Sequence, residues 1–172
     1  IYIDDKHVGS YNRNQMHELQ GKISMEMTSY FYNKIEDDWI GVFHGSTLNK
    51  GKRSIMLTGE SGSGKSSLTL ILSSNGFSLV ADDFSPISNN MKHYKFPAAI
   101  SVKKGFYDYA NKLSKDFIKK KEYLVDKNKG KFKYFSLDID NRSNSHNCNY
   151  IIDVKYGKHL KNNISMSTKG KA

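Results

Sequence analysis

The sequence predicts an α/β domain with a mixed sheet, and three observations carry that expectation. A short apolar run, Ser54 to Thr58, leads into the Gly- and Ser-rich stretch LTGESGSGKSS (Leu57 to Ser67), and Ser66 to Ser74 behind it reads as a helix. Strand, loop and helix therefore follow one another directly. Turn signals at Asn49-Lys50-Gly51-Lys52 and at Asn89-Asn90 separate strand candidates, as hairpin turns do. A fully parallel sheet would need a helix between nearly all of its strands, and the sequence lacks them.

Taken in order, Asn14 to Ile35 places apolar residues at Met16, Leu19, Ile23, Met27, Tyr30 and Phe31, steps of three and four that mark one helical face. The expected role is a core-facing stripe, with Gly21 able to divide the helix into two pieces. Trp39 to His44 is a strand candidate, and residues 39 to 58 read as a hairpin or adjacent strands, which brings His44 near the Gly-rich loop. After the loop helix, Asn75-Gly76 is a helix stop and Phe77, Leu79, Val80 and Ala81 form a buried strand that ends in Asp82 and Asp83. Phe84 to Ser88 and His93 to Phe96 form a second hairpin, closed by Pro97. Ala98 to Lys103 extends again, and Gly105 introduces a helix over Phe106 to Leu113. Further strands are expected at Lys131 to Leu137 and Tyr150 to Tyr156, with a polar loop from Asn141 to Asn149.

At 172 residues the chain suits one domain, 1–172, with a helical segment at about 14–35 and a core at about 39–160. No stretch approaches the roughly 20 apolar residues of a membrane span and no signal peptide opens the sequence, so a cytoplasmic location without membrane partners is the expectation. The single cysteine, Cys148, excludes an internal disulfide. Ile1 in place of Met suggests a fragment of a longer protein. The net charge of +10 comes from 27 Lys and Arg against 17 Asp and Glu. Lys119, Lys120, Lys121, Lys127, Lys129, Lys131 and Lys133 crowd one region with Tyr123, Phe132 and Tyr134. That interleaving suits nucleic acid, but Lys without Arg reads more simply as a solvated surface, so nucleic acid is not the expected partner.

The loop carries the chemistry. Gly59 and Gly64 are separated by four residues and followed by Lys65 and Ser66, which is the phosphate-loop pattern G-x-x-x-x-G-K-[ST]. Glycines at 59, 62 and 64 let backbone N–H groups approach phosphate oxygens, and the helix N-terminus adds partial positive charge beneath them. Lys65 offers an ammonium to the β- and γ-phosphates, and the Ser66 hydroxyl is a Mg²⁺ ligand. The candidate nucleotide-binding residues are thus Gly59, Glu60, Ser61, Gly62, Ser63, Gly64, Lys65, Ser66 and Ser67. A Gly/Ser surface turn is the plain alternative, but it gives no reason for a strand ahead and a helix behind.

A triphosphate site also needs an acidic group toward Mg²⁺, and a kinase needs a carboxylate for the acceptor's proton. Asp82 and Asp83 close an apolar strand after the loop helix, where α/β sheets collect ligands. Adjacent carboxylates can have their proton affinities split, one staying ionised near the metal and the other poised for proton transfer. Which residue takes which role is open, since neighbours on a strand point to opposite sides.

Together, His44-Gly45, the loop GESGSGKSS, Gly76 and Leu79-Val80-Ala81-Asp82-Asp83 resemble the catalytic domain of the HPr kinase/phosphorylase family. That family pairs an HG strand with a GDSGxGKSE loop and an L-[IV]-A-D-D strand, at similar separations along the chain. FPAAISVKKG (Phe96 to Gly105) and YIIDVKYGKHLKN (from Tyr150) resemble segments of the wider HPr-kinase-like group. The resemblance implies a mixed, strongly twisted sheet like that of phosphoenolpyruvate carboxykinase. It implies ATP and Mg²⁺ as cofactors, Lys65 on the phosphates, Ser66 and Asp82 toward the metal, and Asp83 as the general base, supported by His44 and Asp82. The bifunctional enzymes also carry an L-E-[IV]-R-G-x-G element and a glutamate after the loop serine. Here nothing matches the first, and Ser67 stands in the place of the second. The resemblance therefore extends to the nucleotide site and leaves phosphorylase activity and HPr itself aside.

The expected function is a Mg²⁺-dependent kinase that moves the γ-phosphoryl of ATP to a hydroxyl of a protein, peptide or small molecule, with an oligomer allowed. Two alternatives stand beside it: a nucleotide-binding regulatory ATPase without an acceptor, and a basic nucleic-acid binder.

Overall fold

In the computed structural model, which describes residues 2–3, 5–96, 99–124, 130–137, 143–157 and 165, the chain opens with two short paired strands, β1 (Tyr2–Ile3) and β2 (Lys6–His7), and a long helix, α1 (Met16–Tyr32). Strands β3 (Trp39–Phe43), β4 (Ser46–Lys50) and β5 (Arg53–Thr58) lead to α2 (Lys65–Ser74). Then come β6 (Ser78–Ala81), β7 (Ser85–Ser88), β8 (Lys92–Tyr94), β9 (Ile100–Lys103), α3 (Tyr107–Leu113), β10 (Glu122–Leu124), β11 (Lys131–Phe135) and β12 (Ser145–Asp153). The architecture is mixed α/β. A seven-stranded sheet runs in the order β3-β7-β8-β12-β5-β4-β6, with β12 parallel to β5 and the other neighbours antiparallel. A separate three-stranded antiparallel sheet is ordered β10-β11-β9.

The strand order hides one feature that positions the site. Strand β3 runs on into β4 across His44-Gly45, and β6 runs on into β7 across residues 82–84, so the chain itself ties together the two outermost strands. Residues 39–50 and 78–88 form one bent antiparallel ribbon, with Phe43 opposite Ser85 and Thr47 opposite Ala81. Its bend is held by buried hydroxyls: Ser85 donates to the Gly45 carbonyl at 2.9 Å and Thr47 donates to Ser85 at 3.1 Å. Leaving such groups unpartnered would cost about 1–3 kcal/mol each.

Leu70 of α2 packs with Leu79 of β6, with Ile100 and Val102 of β9, and with Ala110, Phe117 and Phe135 in one core. Strand alternation explains this: Ile100 and Val102 face the core while Ser101 and Lys103 face away, and Phe135 does for β11 what Ile100 does for β9. Helix α2 thus fixes the small sheet against the large one. No helix among the described residues is long and apolar enough to cross a membrane.

Several sequence expectations need correction. Helix α1 runs unbroken through Gly21, and its apolar stripe is not core: Met16, Ile23, Met27, Tyr30 and Phe31 are exposed, and Thr28 is the buried residue of the helix. It is instead moored at its C-terminal end, where Tyr32 donates to the Lys95 carbonyl at 2.9 Å and the Trp39 indole donates to Ser29 at 3.0 Å. Strand β3 does not lie beside β4 or β5. The hairpin is β4–β5 alone, because the bend at His44-Gly45 sends β3 to β7. Ser145 to Asn149 belong to β12 rather than to a polar loop, pairing first with β8 and then with β5. Pro97, Ala98, Lys127, Lys129, residues 141–142 and the end of YIIDVKYGKHLKN lie outside the described residues.

Candidate functional site

The loop between β5 and α2 adopts the geometry its glycines allow. Gly59, Gly62 and Gly64 have φ of +133°, +89° and +97°, a region costly for any residue with a Cβ. Gly59 is doubly required, because a Cβ there would lie 2.5 Å from the Val154 carbonyl oxygen, where the end of β12 crosses the loop. Gly64 is the residue that precedes α2, so the free N–H groups of the first helical turn open outward just behind it. Lys65 is buried, and its ammonium donates to the carbonyls of Gly59 at 2.8 Å and Glu60 at 3.0 Å, which arches it back over the loop.

The bend of the ribbon brings the acidic pair and the histidine to the same place. The N–H of Phe84 donates to the Asp82 carbonyl at 2.7 Å, so Asp83 sits at the centre of a three-residue turn, with φ of +60°. That is a rare conformation for a residue with a side chain. The turn points neighbouring carboxylates in different directions. Asp83 is half exposed, and its Oδ1 stands 3.9 Å from His44 Nδ1, an ion-pair distance too long for a hydrogen bond.

Asp82 is buried and accepts a hydrogen bond from Ser46 on Oδ1, while its Oδ2 has no hydrogen-bond partner among the described residues. Burial first, and then the charge of Asp83, push its carboxyl up to about 7, against the opposing pull of Ser46 and Lys65.

These elements line one cleft of about 460 Å³. Its first wall holds His44, Lys65, Ser66 and Asp83, together with Ser61, Gly62, Gly64 and Ser67 of the loop. Gly59, Glu60 and Ser63 lie outside the lining, shaping the loop rather than facing the cleft, and Asp82 sits behind Asp83. The second wall was not foreseen as a site: Ser101 and Lys103 of β9 with Phe132 and Tyr134 of β11. The signal for it was the interleaving of basic and aromatic residues: Lys121 lies over the Tyr123 ring at 5.4 Å, whereas Lys131 and Lys133 turn away from Phe132 and Tyr134. Lys131 pairs with Glu122 at 2.8 Å, and Lys133 donates to the Ile118 carbonyl at 2.8 Å on the reverse face. Lys119 pairs with Asp116 at 3.3 Å. The rings, not these lysines, face the cleft.

For a nucleotide with Mg²⁺, the residues present fit. The loop presents N–H groups and an ammonium to an anion and Ser66 lines the cleft, while Asp82 stays buried behind Asp83 with its Oδ2 unpartnered among the described residues. Among the described residues no group of three or more His, Cys, Asp or Glu side chains forms a metal cluster. Phosphate-bound Mg²⁺ takes only one or two protein ligands, so none is needed. Compared with known proteins, the chain matches no family model, no curated protein and no solved structure.

Proposed function

We propose that this chain is a Mg²⁺-dependent, HPr-kinase-like phosphotransferase that moves the γ-phosphoryl group of ATP to a hydroxyl of a protein, peptide or small molecule. The observation that carries the reading is the convergence of His44, Lys65, Ser66 and Asp83 on one cleft from three separate stretches of sequence. The loop N–H groups and Lys65 hold the phosphates, and Lys65 leaves the loop carbonyls to follow charge as it develops on the transferred group. Ser66 would hold the metal from the protein side, and Asp82, buried behind Asp83, would add negative charge near it without reaching the cleft. Mg²⁺, when bound, neutralises phosphate charge. Asp83 accepts the proton of the acceptor hydroxyl, and His44 draws within hydrogen-bond reach as that proton arrives. Of the two carboxylates, Asp83 is the base because it faces the cleft, while Asp82 faces the protein.

Titration of Mg²⁺-ATP into wild-type protein and Lys65→Ala tests this. Binding in the micromolar range by the wild type, lost in a Lys65→Ala protein that melts at the same temperature, is the expected result. Equal binding by both would remove the loop from the account.

One observation favours a second reading, a regulatory ATPase without an acceptor. The side chains of His44 and Asp83 are 64% and 53% exposed, so water has access to the same base. Release of inorganic phosphate unaffected by any hydroxylated acceptor would support it.

A further inference from the structure

The second wall of the cleft carries side chains that the mechanism above leaves idle. Strands β9 and β11 turn Ile100, Val102 and Phe135 into the core, which by alternation sends Ser101, Lys103, Phe132 and Tyr134 to the cleft. Tyr123 of β10, the register partner of Phe132, lies beside them on the same sheet face, outside the cleft lining. The rings form a connected set: Phe132 and Tyr134 meet edge to face at 5.1 Å and 88°, and Tyr123 stacks on Phe132 at 5.7 Å and 28°. Tyr123 and Tyr134 remain 40% and 43% exposed. A set of mutually packed rings left open to solvent, on a sheet whose reverse side is packed, suits a binding face.

Its occupant follows from what shares the cleft. The same volume of about 460 Å³ holds the phosphate loop, which lies within the roughly 300–1,000 Å³ typical of small-molecule sites. A flat π face is what these rings recognise. We propose that Phe132 and Tyr134, backed by Tyr123, seat the base of the nucleotide whose phosphates lie on the 59–67 loop. Lys103, opposite Phe132 in the β9–β11 register, supplies a cation on the same face. The inference rests on the nucleotide reading above and adds to it the seat of the base, the part of the ligand that the loop cannot distinguish. Specificity for a nucleoside over bare polyphosphate then comes from β11, not from the loop.

Equilibrium titrations with Mg²⁺-ATP and with Mg²⁺-tripolyphosphate separate the two ideas. Wild-type protein is expected to bind ATP more tightly than tripolyphosphate. Tyr134→Ala and Phe132→Leu should each lower ATP affinity by roughly 5- to 150-fold, the range for loss of one stacked base, and leave tripolyphosphate affinity unchanged. Phe132→Leu keeps the apolar bulk, so the strand is retained if Phe132→Ala fails to fold. ATP affinity equal to that of tripolyphosphate, and unmoved by either variant, would overturn the base seat while leaving the loop reading in place. It would assign the rings to an acceptor or to strand pairing alone. Failure of both ligands to bind the wild type would overturn the two together.

Discussion

One wall of the cleft is made of turns and the other of strand, and the two hold their side chains by opposite means. At the loop and the ribbon bend, the backbone leaves the regular regions: glycines at 59, 62 and 64 take positive φ freely for want of a Cβ, and Asp83 holds φ +60° at a cost. The groups there are charged or hydroxylic, and Asp82 is buried with one oxygen unpartnered among the described residues. On the β9–β11 wall the backbone is regular, Val102 and Phe135 anchor it from behind, and rings face outward. On the reading proposed above, the strained turn and the buried carboxyl lie where a transferred group would be gripped, and the regular strands lie where a ring would only be stacked. Helix α2 joins the two walls, since its first turn borders one and its Leu70 packs behind the other.

The largest effect that would sharpen this contrast is at Lys65. Lys65→Ala should lower ATP turnover by a factor on the order of 10³ or more, with the melting temperature within a few degrees of wild type. Turnover at the wild-type level would assign Lys65 to the loop's structure alone.

Asp82 comes next, through pH. Its carboxyl lies near 3.8 in an ordinary setting and about 7 in the folded protein, so the folded state holds the proton more tightly than the unfolded one. This group therefore favours folding most below about pH 4, and that contribution is lost as pH rises to about 7. Asp82→Asn retains an acceptor for Ser46 and removes the titration. In metal-free buffer it should stabilise the protein at pH 8 by on the order of a few kcal/mol, and far less at pH 4. Thermal melts at the two pH values decide this, and an equal change at both would mean that no buried charge is held there.

The smallest effect concerns the turn at Asp83. Asp83→Gly relieves a left-handed residue and one of two neighbouring negative charges, so it should raise stability by about 1 kcal/mol while abolishing transfer. A destabilised Asp83→Gly protein would show that the side chain serves the fold.

The first wall was legible in the sequence because its chemistry depends on residue types in a fixed order. Glycine suits the positive φ at 59 and 64, and Lys65 after it is long enough to reach back over the loop. The second wall was not legible, since the alternation of Phe132 and Tyr134 with Lys131 and Lys133 marks a strand without saying what each face meets. Helix α1 failed for a related reason: periodicity shows which side chains share a face, and Met16, Ile23 and Met27 share one that the described chain leaves uncovered. Strand β3 was assigned to its sequence neighbours, and nothing in His44-Gly45 announces that the ribbon bends there. The polar stretch Ser145 to Asn149 read as a loop because its partners are hydrogen-bonding ones. Asn149 accepts from the Ser54 N–H at 2.9 Å, which suits a strand just as well as an apolar side chain would.

The most direct test is the fate of the γ-phosphoryl group. Wild-type protein and Asp83→Asn, each incubated with Mg²⁺ and γ-labelled ATP over a panel of hydroxyl-bearing acceptors, should differ in one respect only. The wild type is expected to place label on a hydroxyl, and Asp83→Asn to do so more slowly by a factor on the order of 10²–10⁴, with ATP affinity nearly unchanged. Label found only as free phosphate, released at the same rate by both proteins, would contradict a base at Asp83 and with it the kinase.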